Sequence, residues 1–432
     1  MTDSDEIKIV VFDVGEGDSI LVGFPVNGEM KWGMIDCCER KDQFEPPVLT
    51  FIRDNGIQSL EFVCITHFHY DHYRGLPKVL DYFKENGYPI HWFWRYGIVS
   101  PTDVLIRMYE YAEELRYMTK SEEMELSITV EEKQFAKERV KELKKILDWR
   151  NETAKEMREQ GTPFLRRLHG GTMFHRYGRD IAFYCLAPTG DVALEREEYI
   201  ARAAAGFADI LAEDAQHANI SSAIVLLTFG KARMLFGGDA GKDIWANSIE
   251  LLKKSGVVSK GKIDADFVKA SHHGSRHSSS GDFWASVLRK NALVTISADQ
   301  RGNCYGHPHS ETLDDIRSVA HQKAVRLRCT NAPPVCIELT ERVLGGAENH
   351  LSGPVRLAAT TVGALPGHAF HVSPVVDGTE RSGDIHISVN PNRTPAGIVE
   401  DGREEDFHCY YLTATDSQIE EAKRSVLTQM ER

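Results

Sequence analysis

The heptapeptide Thr66-His67-Phe68-His69-Tyr70-Asp71-His72 constrains this chain more than any other stretch. Three imidazoles and a carboxylate fall together directly after the apolar run Phe62-Val63-Cys64-Ile65. On an extended chain alternate side chains share a face, so His67 and His69 project together. Asp71 and His72 follow where the chain must turn, because Gly75-Leu76-Pro77 precedes a helical-looking stretch from Lys78 to Phe83. That pattern suits two metal ions, with the His67–His69 pair on one and Asp71–His72 on the other. With this composition the string arises by chance in about one chain in five hundred, so histidines on a solvated loop are the weaker reading.

At 432 residues the chain is long enough for one large domain with appendages, or for two to three domains. No apolar run approaches the roughly 20 residues that a helical membrane span needs. The acidic start, Met1-Thr2-Asp3-Ser4-Asp5-Glu6, reads as no signal peptide. Eight cysteines without CxxC spacing, Cys37 and Cys38 adjacent among them, read as reduced thiols of a cytoplasmic protein. A formal net charge of −13 argues against a broad basic surface for long nucleic acid. Two bound dications with a local cluster of Lys and Arg would still offset that charge at a site.

Strand patterns alternate with helices through most of the chain, which predicts an α/β layered domain. Ile7–Phe12 and Ser19–Phe24 read as strands around the glycine-rich turn Asp13-Val14-Gly15-Glu16-Gly17-Asp18. Trp32–Ile35, Phe62–Ile65, Ile181–Leu186, Ala223–Phe229, Met234–Phe236, Asp266–Ala270 and Ala292–Ser297 are further strands. Helices are expected at Lys242–Lys254 and Ser310–His321. Residues of about 101–160 form a helical insertion, with apolar seams at Val104, Met108, Tyr111, Leu115 and Met118, then at Ala136, Val140, Leu143, Leu147, Ala154 and Met157. Such seams suit a hairpin packed on itself, or equally a dimerisation arm or a lid. Ala193–Gln216 reads as another helical piece beside the site. From about residue 342 to 432 the texture turns rich in glycine and proline, an accessory region of unknown role. Short strands are expected there at Val372, Val375-Val376 and Ile385–Ile387, with a last helix from Ser417 to Met430.

Other strand ends carry metal-compatible side chains. Asp239 follows a strand and Gly237-Gly238, where the backbone can approach closely; a lone Gly-Gly-Asp is more often a simple turn. His272-His273-Gly274-Ser275 ends a buried strand, so one imidazole can ligate while the other stacks or meets substrate. Tyr305-Gly306-His307-Pro308-His309 adds two histidines, with Pro308 restricting His307 to an extended conformation.

In this order the motifs resemble the metallo-β-lactamase superfamily. Its ComEC-like branch, the hydrolase domain of DNA-uptake proteins, is matched by Phe12–Ser19, Asn219-Ile220-Ser221-Ser222, Gly238-Asp239, Ser271–Ser275 and Tyr305–His309. The resemblance covers about residues 6–341 apart from the insertion. It implies a four-layer αββα sandwich in a hydrolase domain over residues 1–341, with a site for two divalent metal ions, Zn2+ or else Mn2+. His67 and His69 would bind the first ion, Asp71 and His72 the second, and Asp239 would bridge them. His273 is the choice for the second ion because the family's ligand directly precedes glycine, with His272 as the fallback. Asp36 and Asp18 would orient ligands rather than bind metal. One position departs from the superfamily: a histidine is usual just before the strand at Ala223, where this chain has Asn219, with His217 two residues earlier kept as an alternative ligand.

The resemblance implies hydrolysis by a metal-bridging hydroxide, since paired cations lower the pKa of a bound water from about 15.7 toward 7. Asp71, His272, His307 and His309 are the candidate catalytic groups, with His307 or His309 protonating the leaving group. A brace hydrogen-bonded to backbone is an equal alternative for those two. A phosphodiesterase or nuclease acting on single-stranded nucleic acid or a nucleotide is the leading expectation. A small-molecule hydrolase of an ester, lactone or choline phosphodiester is the alternative. A third is an effector subunit controlled by a partner, or a homodimer, through the insertion or the C-terminal region. Lys231, Arg233, Lys269, Arg276 and Arg301 are the nearest cationic candidates to meet a phosphate.

Overall fold

The computed structural model describes residues 6–40, 44–96, 130–190, 192, 219, 221–255, 262–298, 307–323, 325–330, 385–389, 398–400 and 410–411. The chain opens with β1 (Ile7–Val11), β2 (Ser19–Val26) and β3 (Glu29–Cys37), an antiparallel meander. Then β4 (Phe62–Cys64), β5 (Phe93–Tyr96) and β6 (Leu165–Leu168) add in parallel to β3. The second half supplies β7 (Thr172–Tyr177), β8 (Ile181–Ala187), β9 (Ile224–Phe229) and β10 (Ala232–Phe236), all antiparallel. It continues with β11 (Ala265–Lys269), β12 (Leu288–Ile296) and β13 (Arg326–Cys329), parallel to β10.

Three short strands from beyond residue 341 join these sheets: β14 (Ile385–Val389), β15 (Ile398–Glu400) and β16 (Tyr410–Tyr411). The first sheet runs β15-β14-β1-β2-β3-β4-β5-β6 and the second β16-β13-β12-β11-β10-β9-β8-β7. The C-terminal region thus extends one edge of each sheet.

The period-2 pattern decides how the sheets stack. Ile7, Ile9 and Val11 of β1, Val22 and Phe24 of β2, and Phe62 face one shared core with Phe183, Val225, Leu227, Met234, Phe236 and Phe267 of the second sheet. The intervening Val10 and Leu21 point outward. There they meet α1 (Pro47–Asp54), α3 (Leu76–Glu85) and α4 (Val130–Glu159) through Val48, Ile52, Val79, Phe83, Ile146 and Leu147. The outer face of the second sheet is covered by α5 (Lys242–Ser255), α6 (Gly281–Val287) and α7 (Ser310–Lys323), which bring Trp245, Phe283, Trp284, Leu313 and Ile316. The architecture is the expected four-layer αββα sandwich.

The insertion's described part is the single helix α4. Its Leu143, Ile146 and Leu147 enter the core beside α1 and α3 rather than packing only within the insertion. The earlier seam, the piece 193–216, Val372, Val375-Val376 and the expected helix 417–430 lie outside the described residues. The short strands β6 and β7 and the helix α1 carry no strong pattern of their own and were not legible from the sequence. Among the described residues no helix is long and apolar enough to cross a membrane.

Candidate metal centre

Strand ends from both sheets converge at one edge of the sandwich. β4 stops at Cys64, and the chain runs through His67 and His69 into a single helical turn, α2 (Tyr70–Tyr73), with His72 N donating to His69 O at 3.0 Å. From the second sheet, β10 ends before Gly237-Gly238-Asp239 and β11 before the 3-10 turn Ser271–Gly274.

Two candidate ligand groups share Asp239, and a third joins Asp18, Asp36 and His72. Of the first two, His67, His69 and Asp239 form one; Asp71, His72, Asp239 and His273 form the other, the ligand atoms of each lying within 4.8 Å of one another. Asp239 belongs to both. Its Oδ1 is 3.3 Å from His72 Nε2 and 3.8 Å from His273 Nε2, and its Oδ2 is 3.6 Å from His67 Nε2. His273 Nε2 is 3.2 Å from Asp71 Oδ2. His67 Nε2, His72 Nε2 and Asp239 Oδ1 are buried and take no hydrogen bond among the described residues; they face one another across the cluster. Buried polar atoms left without hydrogen bonds normally have a reason. Imidazole nitrogens and carboxylates in this arrangement fit divalent cations.

The far side of each ring explains why those atoms point inward. Asp36 Oδ2 lies 2.8 Å from His72 Nδ1, while its carboxylate also accepts from Thr66 N and Thr66 Oγ1, both at 2.7 Å. Asp36 adopts a left-handed φ of 56°, which aims this carboxylate back under the histidine loop. His273 Nδ1 is 3.1 Å from Ser297 O, an acceptor, so the ring donates there and leaves Nε2 as the inward atom. Asp239 N donates to Ser222 Oγ at 2.8 Å.

The glycine-rich turn after β1 braces the same loop. Asp18 N donates to Asp71 O at 3.2 Å, and a Cβ on Gly17 would lie 2.6 Å from that carbonyl, so only glycine permits the approach. His272 and His273 both sit in the left-handed region, with φ of 48° and 52°, a conformation that non-glycine residues hold only when their surroundings enforce it. Gly274 follows with φ of 79°, and a Cβ there would come 2.7 Å from Pro308 Cβ.

Burial opposes charge on every group here, and the neighbours decide which way each moves. Burial, reinforced by His72, pushes His67 well below the ordinary imidazole range. On His72 burial acts the same way, but Asp239, Asp36 and Asp71 outweigh it and raise the imidazolium well above that range. His273 is likewise raised against burial, by Asp239 and Asp71. Asp239 and Asp71 are held below the usual carboxylate range in spite of burial, chiefly by His72 and His273. Burial raises Asp36 despite the pull of His72. The cluster therefore draws positive charge, for which imidazole protons and divalent cations compete.

His272 stays outside both groups. Its Nε2 is 3.9 Å from Asp239 Oδ2, and burial pushes it down to about 4. His307 stands beside it, the ring centroids 5.3 Å apart, with His307 Nδ1 3.3 Å from Glu16 Oε1. His309 stacks edge-on to His307, and its Nδ1 accepts from Arg276 N at 3.2 Å. His217 lies outside the described residues. Asn219 is described, and its Oδ1 is buried with no hydrogen bond among the described residues. His175 packs against Trp92, Trp94 and Tyr177 and is not part of the cluster.

One expectation needs correction. Lys269 is fully buried and ion-paired with Asp18 Oδ1 at 2.7 Å, so it cannot meet a substrate. Arg276 is exposed but faces Glu311 at 3.4 Å, and Arg301 lies outside the described residues. Glu16 was missed as a site group; its place in the Asp13–Asp18 turn was visible, but its contact with His307 was not.

No family model and no curated protein matches the chain. Solved structures do. A diphosphatase from the PhnP family is 12% identical, covering 75% of this chain and 85% of that one, at a TM-score of 0.30. The metallo-beta-lactamase fold protein YhfI from Bacillus subtilis is 11% identical over 72% and 93%, at 0.33. Zn(2+)-bound PqqB from Methylobacterium extorquens is 8% identical over 74% and 96%, also at 0.33. Likenesses this distant say nothing of activity, which rests on the residues themselves.

Proposed function

We propose that the chain is a hydrolase dependent on two divalent metal ions, acting as a phosphodiesterase or nuclease on a short or small phosphodiester, and related to the ComEC-like branch of the metallo-β-lactamase superfamily. The observation that carries this reading is the sharing of Asp239, itself buried, between two His/Asp groups. His67, His69 and Asp239 would hold one ion; Asp71, His72, His273 and the same Asp239 would hold the second. Zinc suits this mixture of imidazole and carboxylate, with manganese the alternative. Bound there, the pair would supply Lewis-acid charge and a water acidified toward neutral pH, the chemistry that suits in-line displacement at phosphorus.

The protein's own groups do the rest. Asp36 and Ser297 O fix the ring orientations of His72 and His273, keeping each Nε2 inward. His307, with Nδ1 3.3 Å from Glu16 Oε1, or His309 would protonate the leaving group beside the cluster. His272 and His309 line the same side.

The cation census supports a small substrate. Lys269 is buried, Arg276 faces Glu311, and the chain carries a net charge of −13. The same observation favours the second reading, hydrolysis of an ester, a lactone or a choline phosphodiester. The four described free cysteines, Cys37, Cys38, Cys64 and Cys185, are buried, which fits a reducing compartment such as the cytoplasm.

The test is metal analysis followed by parallel assays on bis-p-nitrophenyl phosphate, single-stranded DNA, RNA and a lactone. Asp239→Ala is expected to abolish turnover and uptake of both equivalents while the circular dichroism persists. Turnover at the wild-type rate in that variant would remove the site assignment.

A further inference from the structure

Lys269 ends β11, in a strand whose alternate residues face opposite ways: Phe267 belongs to the core between the sheets and Val268 to the outer core. Lys269 shares the inward face with Phe267, which sends its ammonium between the two sheets. There it meets Asp18, from the head of β2 in the first sheet, with Nζ 2.7 Å from Oδ1 and the two side chains 0% and 2% exposed. The ammonium also donates to Ala270 O at 3.0 Å, at the root of the turn that carries His272 and His273. Asp18 in turn is tied by its backbone to the first sheet: its N donates to Asp71 O, and its O accepts from Cys38 N at 2.9 Å. Its Oδ1 lies 4.0 Å from His273 Nδ1.

We infer that the Lys269–Asp18 pair is a positioning clamp between the two sheets, which sets His273 opposite Asp71 and His72 and so builds the second metal position. This rests on the metal-centre reading proposed above. A fully buried ion pair contributes little to stability compared with apolar side chains of similar size, so stability alone is a poor explanation for it. Its neighbours supply a better one. His273 reaches the cluster from the second sheet, whereas Asp71 and His72 come from the first, and no covalent connection near the site relates them. The turn that carries His273 is left-handed at two successive histidines, a conformation the surroundings must enforce. Ligand constellations need placement within about half an ångström. One contact at the root of that turn, crossing directly to the residue that holds Asp71, supplies such a restraint. The first group, with His67 and His69 both on the loop after β4, depends on it less.

The test is calorimetric titration of the chelator-stripped full chain with Zn2+, the first equivalent assigned as the one lost in His69→Ala and the second as the one lost in His273→Ala. Lys269→Met and Asp18→Asn are each expected to weaken the second equivalent about 10- to 100-fold, the range typical for groups that orient metal ligands, with the first changed less than about threefold. Because the two residues act as one unit, the double variant is expected to be no worse than the poorer single. Equal weakening of both equivalents, no weakening, or additive losses in the double variant would each overturn the inference. If Lys269→Met fails to fold, the isosteric Asp18→Asn decides alone, and its failure to fold as well would assign the pair to the fold and overturn the clamp. Wild-type protein that binds no Zn2+ would instead defeat the metal-centre reading itself.

Discussion

Replacing Asp36 by asparagine changes two atoms' chemistry and almost no volume, yet it should disable His72. The carboxylate accepts three hydrogen bonds: from Thr66 N on Oδ1, and from Thr66 Oγ1 and His72 Nδ1 on Oδ2. In Asp36→Asn the amide oxygen must stay on the Thr66 amide, because turning the NH2 there would set donor against donor. The NH2 then faces Thr66 Oγ1, which can rotate to accept, and His72 Nδ1, which must become an acceptor. That tautomer puts the ring proton on Nε2, the atom 3.3 Å from Asp239 Oδ1 and the one proposed to bind metal. Asparagine tolerates the left-handed φ of 56° at this position, so the backbone has no reason to move. Loss of an orienting partner of this kind weakens metal binding about 10- to 100-fold, equivalent to roughly 1.4–2.8 kcal/mol. Zn2+ titration of stripped wild-type and variant protein measures it, and nitrogen NMR of the Zn2+-loaded proteins reports which His72 nitrogen keeps its proton. Binding of both equivalents within twofold of wild type, with the Nδ1-protonated tautomer retained, would refute the reasoning.

Three further outcomes follow from the same geometry. Gly274→Ala should destabilise the protein by about 1–3 kcal/mol in thermal melts, because a Cβ there sits 2.7 Å from Pro308 Cβ at a φ of 79°; an unchanged melting temperature would contradict the packing. His175, held among Trp92, Trp94 and Tyr177, is pushed down to about 4 by burial and by Arg166. Its proton NMR titration should show a midpoint far below about 6.5. The unfolded chain takes up that proton first as pH falls, so this contribution is complete above pH ~6.5 and is lost between there and about 4. Allowing for the ring's partial exposure, it amounts to about 1–2 kcal/mol, and a midpoint near 6.5 would exclude it. Finally, Zn2+ at about a thousand times its Kd should stabilise the folded protein by about 4 kcal/mol relative to the stripped form. Identical melting curves with and without Zn2+ would speak against a built site.

The motif from His67 to His72, the alternating strands and the strand-terminal Asp239 could be read in advance because they are properties of contiguous chain. Ile7, Ile9 and Val11 face the shared core because a pleated strand repeats every two residues, whatever it packs on. The same logic placed two histidines on one side of a loop. It did not distinguish His272 from His273 by geometry, since neighbours in a turn of left-handed residues do not follow a period. Nor did it see α4 docking on α3, because a charged helix with a narrow seam can bury that seam on itself or on a neighbour equally well. Lys269 looked like a free cation, and only the approach of β2 to β11 turned it into the partner of a buried carboxylate.

What the chain determined by itself was therefore which residues carry donor atoms and which faces are apolar. The tertiary structure decided which donors meet: His273 and Asp71, 202 positions apart, stand 3.2 Å from each other. Residue type and local period act over a few positions, while convergence across that separation depends on how two sheets register against a common core. The final strands make the same point, as Ile385–Val389 pairs with β1 and Tyr410–Tyr411 with β13, at opposite sheets of the sandwich.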